Sequence, residues 1–188
     1  MRLRLILSLV IPVLLLANEA LAAGYVQPGP RLLESAFYEA SGSASITLGS
    51  PLEEVRNVFG ILPDEQDGDC FCMNDAGETI DGTAKTLRYS GLEVVLERRD
   101  GSPDYETTRI VVTGPNRWMT PGLVVGMTKA DVKTLLGKPD TVGRDWESGN
   151  KNVHYFFDSG RSALTVTTAK GRVIRIEMHT RECKRSAD

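Results

Sequence analysis

The sequence has only three cysteines and two histidines in 188 residues. Structural zinc sites use four ligands, mostly paired cysteines and histidines. Cys70 and Cys72 form one close pair, and neither His154 nor His179 has a metal-binding partner nearby in the sequence, so a zinc site is disfavoured. Phosphate loops, dinucleotide fingerprints and nucleophile elbows are also missing. We therefore predict no metal, no cofactor and no enzymatic activity, with a small hydrolase using paired carboxylates as the remote alternative.

Clustered positive charge is also lacking. Lysine and arginine number 22 against 25 aspartates and glutamates, a net charge of −3. The exception is Arg181, Lys184 and Arg185 in the terminal segment, which we interpret as a solvated tail. Because phosphate contacts need clustered basic residues, we expect no nucleic-acid partner.

The long hydrophobic run of the chain lies at its start. Leu5 to Ala17 is apolar, follows Arg2 and Arg4, and precedes Ala20-Leu21-Ala22. This order is typical of a cleaved export signal, with an uncleaved anchor as the alternative. Residue 23 is alanine rather than a lipid-bearing cysteine, so we predict a periplasmic or secreted protein without a stable membrane anchor.

Exported proteins fold in an oxidising environment, where disulfides form and persist. Three cysteines allow at most one internal bridge, so we expect one disulfide. Cys183 follows the last predicted strand, and Cys70 and Cys72 share one segment. We predict a bridge from Cys183 to one of this pair, Cys72–Cys183, with Cys70–Cys183 as the open alternative.

An internal repeat is the strongest pattern in the chain. The segment 48–60, followed by Pro63, corresponds to the segment 125–137, followed by Pro139. Each copy predicts a short helix that ends at a glycine. Ser50 is the predicted cap of the first helix, with Glu53 completing a capping box, and Thr128 is the cap of the second.

Alternating apolar residues after each helix predict antiparallel strands. They cover 86–90, 91–98 and 108–113 in the first copy and 153–157, 162–168 and 172–179 in the second. The predicted fold class is α+β, with two tandem helix-plus-antiparallel-meander repeats forming one continuous curved sheet with short helices on one face. The predicted segments are a signal peptide (1–22), a flexible arm (23–45), repeat 1 (46–114, with an acidic insertion at 64–84), a linker (115–122), repeat 2 (123–180) and a tail (181–188).

The helix-end pattern resembles the SmpA/OmlA family of small outer-membrane proteins related to BamE. The residues that carry the resemblance are Gly126, Met127, Thr128, Val132, Gly137 and Pro139. Two such units in tandem resemble the fold of the β-lactamase inhibitor protein. The first copy departs from the pattern with Ser50-Pro51 in place of Met-Thr, and the lipid-anchor cysteine is absent. The resemblance implies protein binding through loops and the sheet face opposite the helices.

The insertion is rich in carboxylates, among them Asp64, Asp67, Asp69 and Asp75. We interpret it as a solvated loop held by the disulfide, with contact to a basic cleft on a partner as the functional alternative. Calcium is a further alternative, although the spacing does not match a calcium loop.

Strand alternation also predicts which side chains face away from the helices. Ile174, Ile176 and Met178 are expected to face the core. The predicted partner-binding residues on the other face are Arg88, Glu93, Glu97, Arg109, His154, Phe156, Arg175, Glu177 and His179, with Trp146 in a loop. An ordinary solvated face is the alternative. We predict an inhibitor or immunity-type protein that blocks an extracytoplasmic enzyme or toxin, with an envelope-assembly scaffold as the second hypothesis.

Overall fold

The computed structural model describes residues 38–40, 44–60, 63–73, 79–99, 101–114, 118–119 and 122–180. The helices are α1 (Leu52–Phe59) and α2 (Lys129–Leu136). The strands are β1 (Tyr38–Ala40), β2 (Ala44–Ile46), β3 (Asp64–Met73), β4 (Thr79–Tyr89), β5 (Leu92–Arg99), β6 (Glu106–Val112), β7 (Trp118–Met119), β8 (Leu123–Val124), β9 (Thr141–Arg144), β10 (Lys151–Phe157), β11 (Ser162–Ala169) and β12 (Arg172–Thr180).

Eight strands form one antiparallel sheet in the order β3-β4-β5-β6-β12-β11-β10-β9. Its centre is the pairing of β6 with β12, where Ile110 lies opposite Met178 and Val112 opposite Ile176. A second, four-stranded sheet has the order β2-β1-β7-β8. It uses β1 and the first two residues of β2 from the region predicted as an arm, and β7 from the predicted linker.

The α+β prediction of two helix-plus-meander repeats is wrong. The described chain is mostly antiparallel strand, with two helices of eight residues each among the described residues. In the segment 64–84, predicted as an inserted loop, the described residues 64–73 and 79–84 instead form β3 and the first part of β4. The β-branched residues Thr79, Ile80 and Thr83 favour strand pairing, and the resulting ladder enlarges the sheet.

The two helices begin differently despite their similar sequences. Thr128 accepts a hydrogen bond from the Asp131 backbone N–H, and Asp131 accepts from the Thr128 N–H, so the predicted Thr128 cap of α2 is confirmed as part of a capping box. The predicted cap of α1 is wrong. Pro51 takes the cap position without a side-chain bond, and the Ser50 hydroxyl accepts from the Thr47 N–H instead.

Each helix start is bound to the large sheet through a glycine. Gly49 N–H donates to the Thr107 carbonyl at 2.7 Å, and Gly126 N–H donates to the Val173 carbonyl at 2.8 Å. Their φ angles, 89° and 98°, lie in the left-handed region that favours glycine. Glycine at these two places therefore fixes where each helix crosses the sheet.

Two β-bulges shift the strand register next to these contacts. The pairing of β11 with β12 moves from Thr167–Arg175 to Thr168–Val173, which leaves Ile174 as the extra residue. Ile174 is consequently 39% exposed and Val173 is buried, so the prediction that Ile174 faces the core is wrong. The bulge restores the alternation beyond it, and Ile176 and Met178 are buried as predicted.

The hydrophobic core lies between the helices and the adjacent face of the large sheet. Its largest fully buried side chains come from the central strands, α1 and the smaller sheet: Ile46, Val55, Leu87, Val94, Leu96, Ile110, Leu123, Leu164, Ile176 and Met178. Val132 and Leu136 add the buried side of α2. Because both helices pack on the same face, the opposite face of the sheet is left for other contacts.

Candidate protein-binding face

The face of the large sheet that points away from the helices is called the open face here. In β5, Leu92, Val94 and Leu96 are buried in the core, so Glu93 and Val95 lie on the open face. One row of register partners on this face crosses all eight strands: Asp64, Arg88, Glu93, Val111, Glu177, Thr165, His154 and Thr141. The register therefore brings residues from distant parts of the sequence into one line.

In the first half of this row, Glu93 forms ion pairs with arginines on both neighbouring strands. Its carboxylate accepts a hydrogen bond from Arg88 Nε at 3.2 Å and another from Arg109 Nη2 at 3.1 Å. Arg88 also donates to the Gln66 side-chain oxygen at 2.9 Å. Four neighbouring strands are thus joined by charge-assisted bonds across their outer surface.

Glu177 has the corresponding place in the second half. Arg175 Nη2 donates to Glu177 Oε2 at 2.7 Å, and His179 Nδ1 lies 3.7 Å from Glu177 Oε1. On the next strands, His154 Nδ1 and the Thr165 hydroxyl oxygen are 2.9 Å apart. The carboxylates of Glu93 and Glu177 are therefore each held by an arginine.

Val111 lies between Glu93 and Glu177 in the row and is only 4% exposed. The Nε atoms of Arg109 and Arg175 are buried, and neither finds a hydrogen-bond partner among the described residues. Their side chains as a whole are still 42% and 43% exposed. The stem of each arginine is therefore buried, and the guanidinium tip contacts solvent. The arginine tips are therefore presented to solvent on stems that pack against the sheet.

A second surface is the hairpin of β3 and β4. Pairing of β4 with β5 begins at Gly82, so the β3–β4 pairs beyond it, such as Phe71–Asp81, belong to a two-stranded projection. Phe71 is 79% exposed. Asp69 and Asp81 are also exposed, and neither forms an ion pair with another described residue. An acidic, partly apolar tip therefore extends past the body of the sheet.

At the base of this hairpin the acidic side chains form ion pairs with basic ones. Lys85 Nζ lies 2.7 Å from Glu65 Oε1 and 2.6 Å from Asp67 Oδ1, and Arg56 Nη2 lies 2.8 Å from Glu65 Oε2. The hydrogen bonds from Lys85 and then Arg56 lower the pKa of Glu65. The bonds to Asp67 and Glu65 raise the pKa of Lys85. Asp67 is thus ion-paired within the fold, whereas Asp69 forms no ion pair with another described residue.

Sequence reasoning missed Tyr105, which completes this cluster from the loop before β6. Its ring centroid is 5.3 Å from Lys85 Nζ and 4.9 Å from Arg98 Cζ, within range of cation–π attraction. Its hydroxyl is 2.9 Å from the Thr83 hydroxyl oxygen. The sequence did contain a signal for a longer β4. Thr83 and Lys85 are two positions apart, so a strand that includes them places both side chains on one face.

The predicted site residues fall into separate groups. Ten lie on the open face: Asp64, Arg88, Glu93, Glu97, Arg109, His154, Phe156, Arg175, Glu177 and His179. Asp67 and Asp69 lie on the other face of β3, and Trp146 is 87% exposed in the β9–β10 connection. Asp75, Cys183 and the side chain of Cys72 are outside the described residues, so the Cys72–Cys183 bridge stays a prediction.

Among the described residues, no three histidine, cysteine, aspartate or glutamate side chains come together as a metal site. The same part of the chain has no helix of sufficient length and apolarity to span a membrane.

Comparisons with known proteins give one weak likeness. No family model matches the chain, and no curated protein matches it. A solved structure of a DUF4309 family protein (YjgB) from Bacillus subtilis aligns with 74% of this chain and 86% of its own, at 14% identity and a TM-score of 0.40.

Proposed function

We propose that this chain is an exported, non-enzymatic protein-binding module that acts as an inhibitor or immunity-type protein. Its target is an extracytoplasmic enzyme or toxin, and it blocks that target by covering a cleft. The observation that carries this proposal is the open face, where two arginine–glutamate pairs surround the buried Val111.

The composition of the open face supports protein recognition. Arginine and aromatic side chains are enriched in protein interfaces, and Arg109, Arg175 and Phe156 supply both classes. The arginine stems are already packed on the sheet, so fewer rotamers are lost when a partner binds. Rigid strands carry these groups, which favours a surface that keeps its shape on docking.

The acidic hairpin supplies the second contact of the proposal. Phe71 projects beyond β5, and the exposed Asp69 lies two residues before it, level with the end of β5. Together they can reach into a concave surface that the flat sheet cannot enter. A basic, partly apolar cleft on the target is the complement of this tip. Because the base of the hairpin is tied by Lys85, the tip is presented from a fixed support.

Affinity capture tests the proposal. Tagged mature protein (residues 23–188) is incubated with cell envelope and culture medium of its source, and bound proteins are quantified by mass spectrometry. The proposal predicts one stoichiometric exported enzyme or toxin, whose activity falls on titration with the purified chain. Asp69→Ser/Phe71→Ser should weaken that inhibition at least tenfold, which corresponds to about 1.4 kcal/mol.

Other outcomes of the capture contradict the inhibitor assignment. Recovery of outer-membrane assembly subunits, with no effect on any soluble enzyme, would move the chain to the envelope-scaffold class. Turnover of a substrate by the purified chain, lost in Glu93→Gln or Glu177→Gln, would show a hydrolase instead.

A further inference from the structure

A cavity of about 190 Å³ lies beside α2, at the opposite end of the sheet from β3. Its walls are apolar: Val132 comes from α2, Val142 from β9, and Val153 and Tyr155 from β10. Val142 is 56% exposed at the mouth, whereas Tyr155 is buried. This groove is on the helix side of the sheet, so it is separate from the open face.

Three lysines surround the groove. Lys129 and Lys133 extend from successive turns of α2, and Lys151 begins β10. No carboxylate of the described chain lies within 4.0 Å of any of these ammonium groups, in contrast to Lys85 with its two acidic partners. In a chain of net charge −3, the groove is a local concentration of positive charge beside an apolar surface.

The edge of the sheet runs along the groove. Strand β9 is the terminal strand of the sheet, and its outer side pairs with no other strand in the part of the chain that the structure describes. An edge strand presents backbone donors and acceptors that an extended peptide can meet by strand addition. Because β9 has four residues, Thr141–Arg144, the complementary segment is short.

The size of the cavity selects among possible occupants. Pockets for small organic ligands are usually about 300–1,000 Å³, so a cavity of about 190 Å³ suits one large side chain better than a whole ligand. In strand addition, backbone bonds supply affinity and a side-chain pocket supplies specificity. A free backbone edge next to a pocket of side-chain size therefore favours a peptide over a lipid chain.

We propose that the groove and the edge of β9 bind an extended acidic segment of another protein. One large apolar side chain of that segment fills the space between Val132, Val142 and Val153. Carboxylates on either side of it reach Lys129, Lys133 and Lys151. This docking site has the opposite charge to the hairpin tip and does not depend on the proposed inhibitor function.

Fluorescence anisotropy with a labelled hexapeptide, Glu-Asp-Phe-Asp-Glu-Ser, tests the proposal on the mature chain. The peptide should bind, and alanine in place of its phenylalanine should weaken binding about tenfold or more, since an aromatic side chain is no longer buried. Lys129→Ser/Lys133→Ser/Lys151→Ser should weaken binding about tenfold, because each rim pair contributes modestly. Val142→Asp should weaken it as well, by placing a like charge at the mouth.

Lys138→Ser/Lys170→Ser is the control for lost positive charge elsewhere, because both lysines are exposed outside the groove, and it should retain binding. Amide signals of Val142 to Arg144 should shift in nuclear magnetic resonance spectra when the peptide binds. Equal binding of an uncharged asparagine–glutamine peptide would overturn the proposal, as would an unchanged affinity of the triple lysine variant. Preference for anionic phospholipid vesicles over the peptide, or self-association through the Phe71 hairpin of a second copy, would overturn the assigned occupant.

Discussion

Arg109 Nη2 lies 3.1 Å from Glu93 Oε1, on the neighbouring strand of the open face. Arg175 occupies the matching position in the second half, immediately after the bulge at Ile174, yet it pairs with Glu177 on its own strand. Each half of the sheet therefore holds an arginine tip at the surface. The glutamate partner lies on the neighbouring strand in the first half and on the same strand in the second. This difference makes the two halves of the open face chemically unlike each other.

These pairs are expected to contribute little to folding. Both arginines are about two-fifths exposed, and ion pairs of this kind contribute about 0–1 kcal/mol. Arg109→Ser and Arg175→Ser should each change the free energy of unfolding in urea by less than about 1 kcal/mol. A loss above about 3 kcal/mol, the range expected when a buried ion pair is broken, would mean that the face is structural.

The turn between β4 and β5 has no room for a side chain. A Cβ atom on Gly91 would lie 2.5 Å from the Cα of Gly114, and the Gly91 φ is +72°. Gly91→Ala should therefore lower the free energy of unfolding by about 2–4 kcal/mol, from steric overlap and backbone strain. Gly68→Ala is the control, since its Cβ meets nothing within 4 Å, and it should leave stability nearly unchanged. Equal effects in thermal unfolding would refute this account of the turn.

The bulge in β12 gives a direct test of side-chain direction. Ile176→Ala removes a fully buried side chain and should cost about 2–5 kcal/mol. Ile174→Ala changes a residue that is 39% exposed and should cost much less. Urea denaturation of both variants measures the difference. Comparable losses would mean that the strand alternates without a bulge and that Ile174 reaches the core.

The charge cluster at the base of the hairpin predicts how stability depends on pH. The pKa of Glu65 is lowered from its ordinary 4.5 by hydrogen bonds from Lys85 and Arg56. Its stabilising contribution is therefore present above pH 4.5 and is lost as the pH falls through the lower pKa of the folded state. Glu65→Gln should make the decline of stability below pH 4.5 shallower.

Lys85 adds the opposite dependence, because its pKa is raised above 10.5 by Asp67 and Glu65. Its contribution is present below pH 10.5 and is lost as the pH rises through the pKa of the folded state. The double variant Arg56→Gln/Lys85→Gln removes both groups that lower the pKa of Glu65, and with them the titration of Lys85, so it should reproduce the shallower acid decline. Wild-type slopes in urea titrations of either variant would contradict the assignment.

Local signals in the sequence predicted a large part of the sheet but a smaller part of the surface. Six strands and the Thr128 cap follow from alternation and capping residues that lie close together in the chain. The β12 bulge was not predictable because it is a shift in the register between β11 and β12. That shift is defined only by the pairing of the two strands, in which Thr167 lies opposite Arg175. The pairing of Lys85 with Glu65 and Asp67 likewise depends on the register of β3 with β4.

The open-face residues were predictable because strand alternation assigns a face without requiring a partner. The groove beside α2 was not, since Val132 and Val142 become neighbours only through the packing of α2 beside β9. Chain segments predicted as an arm and a linker also pair with one another, through β1 and β7, across about 80 residues. Such long-range pairing has no local signature.

The most direct test of the central claim compares captures by three forms of the mature chain. Wild type, Arg109→Ser/Arg175→Ser and the control Lys138→Ser/Lys170→Ser differ little in expected stability, and both variants remove two positive charges. If the open face binds the partner, wild type and the control should retain the same exported protein, and the arginine variant should lose it by tenfold or more. Equal recovery by all three forms would show that the open face is not the binding surface.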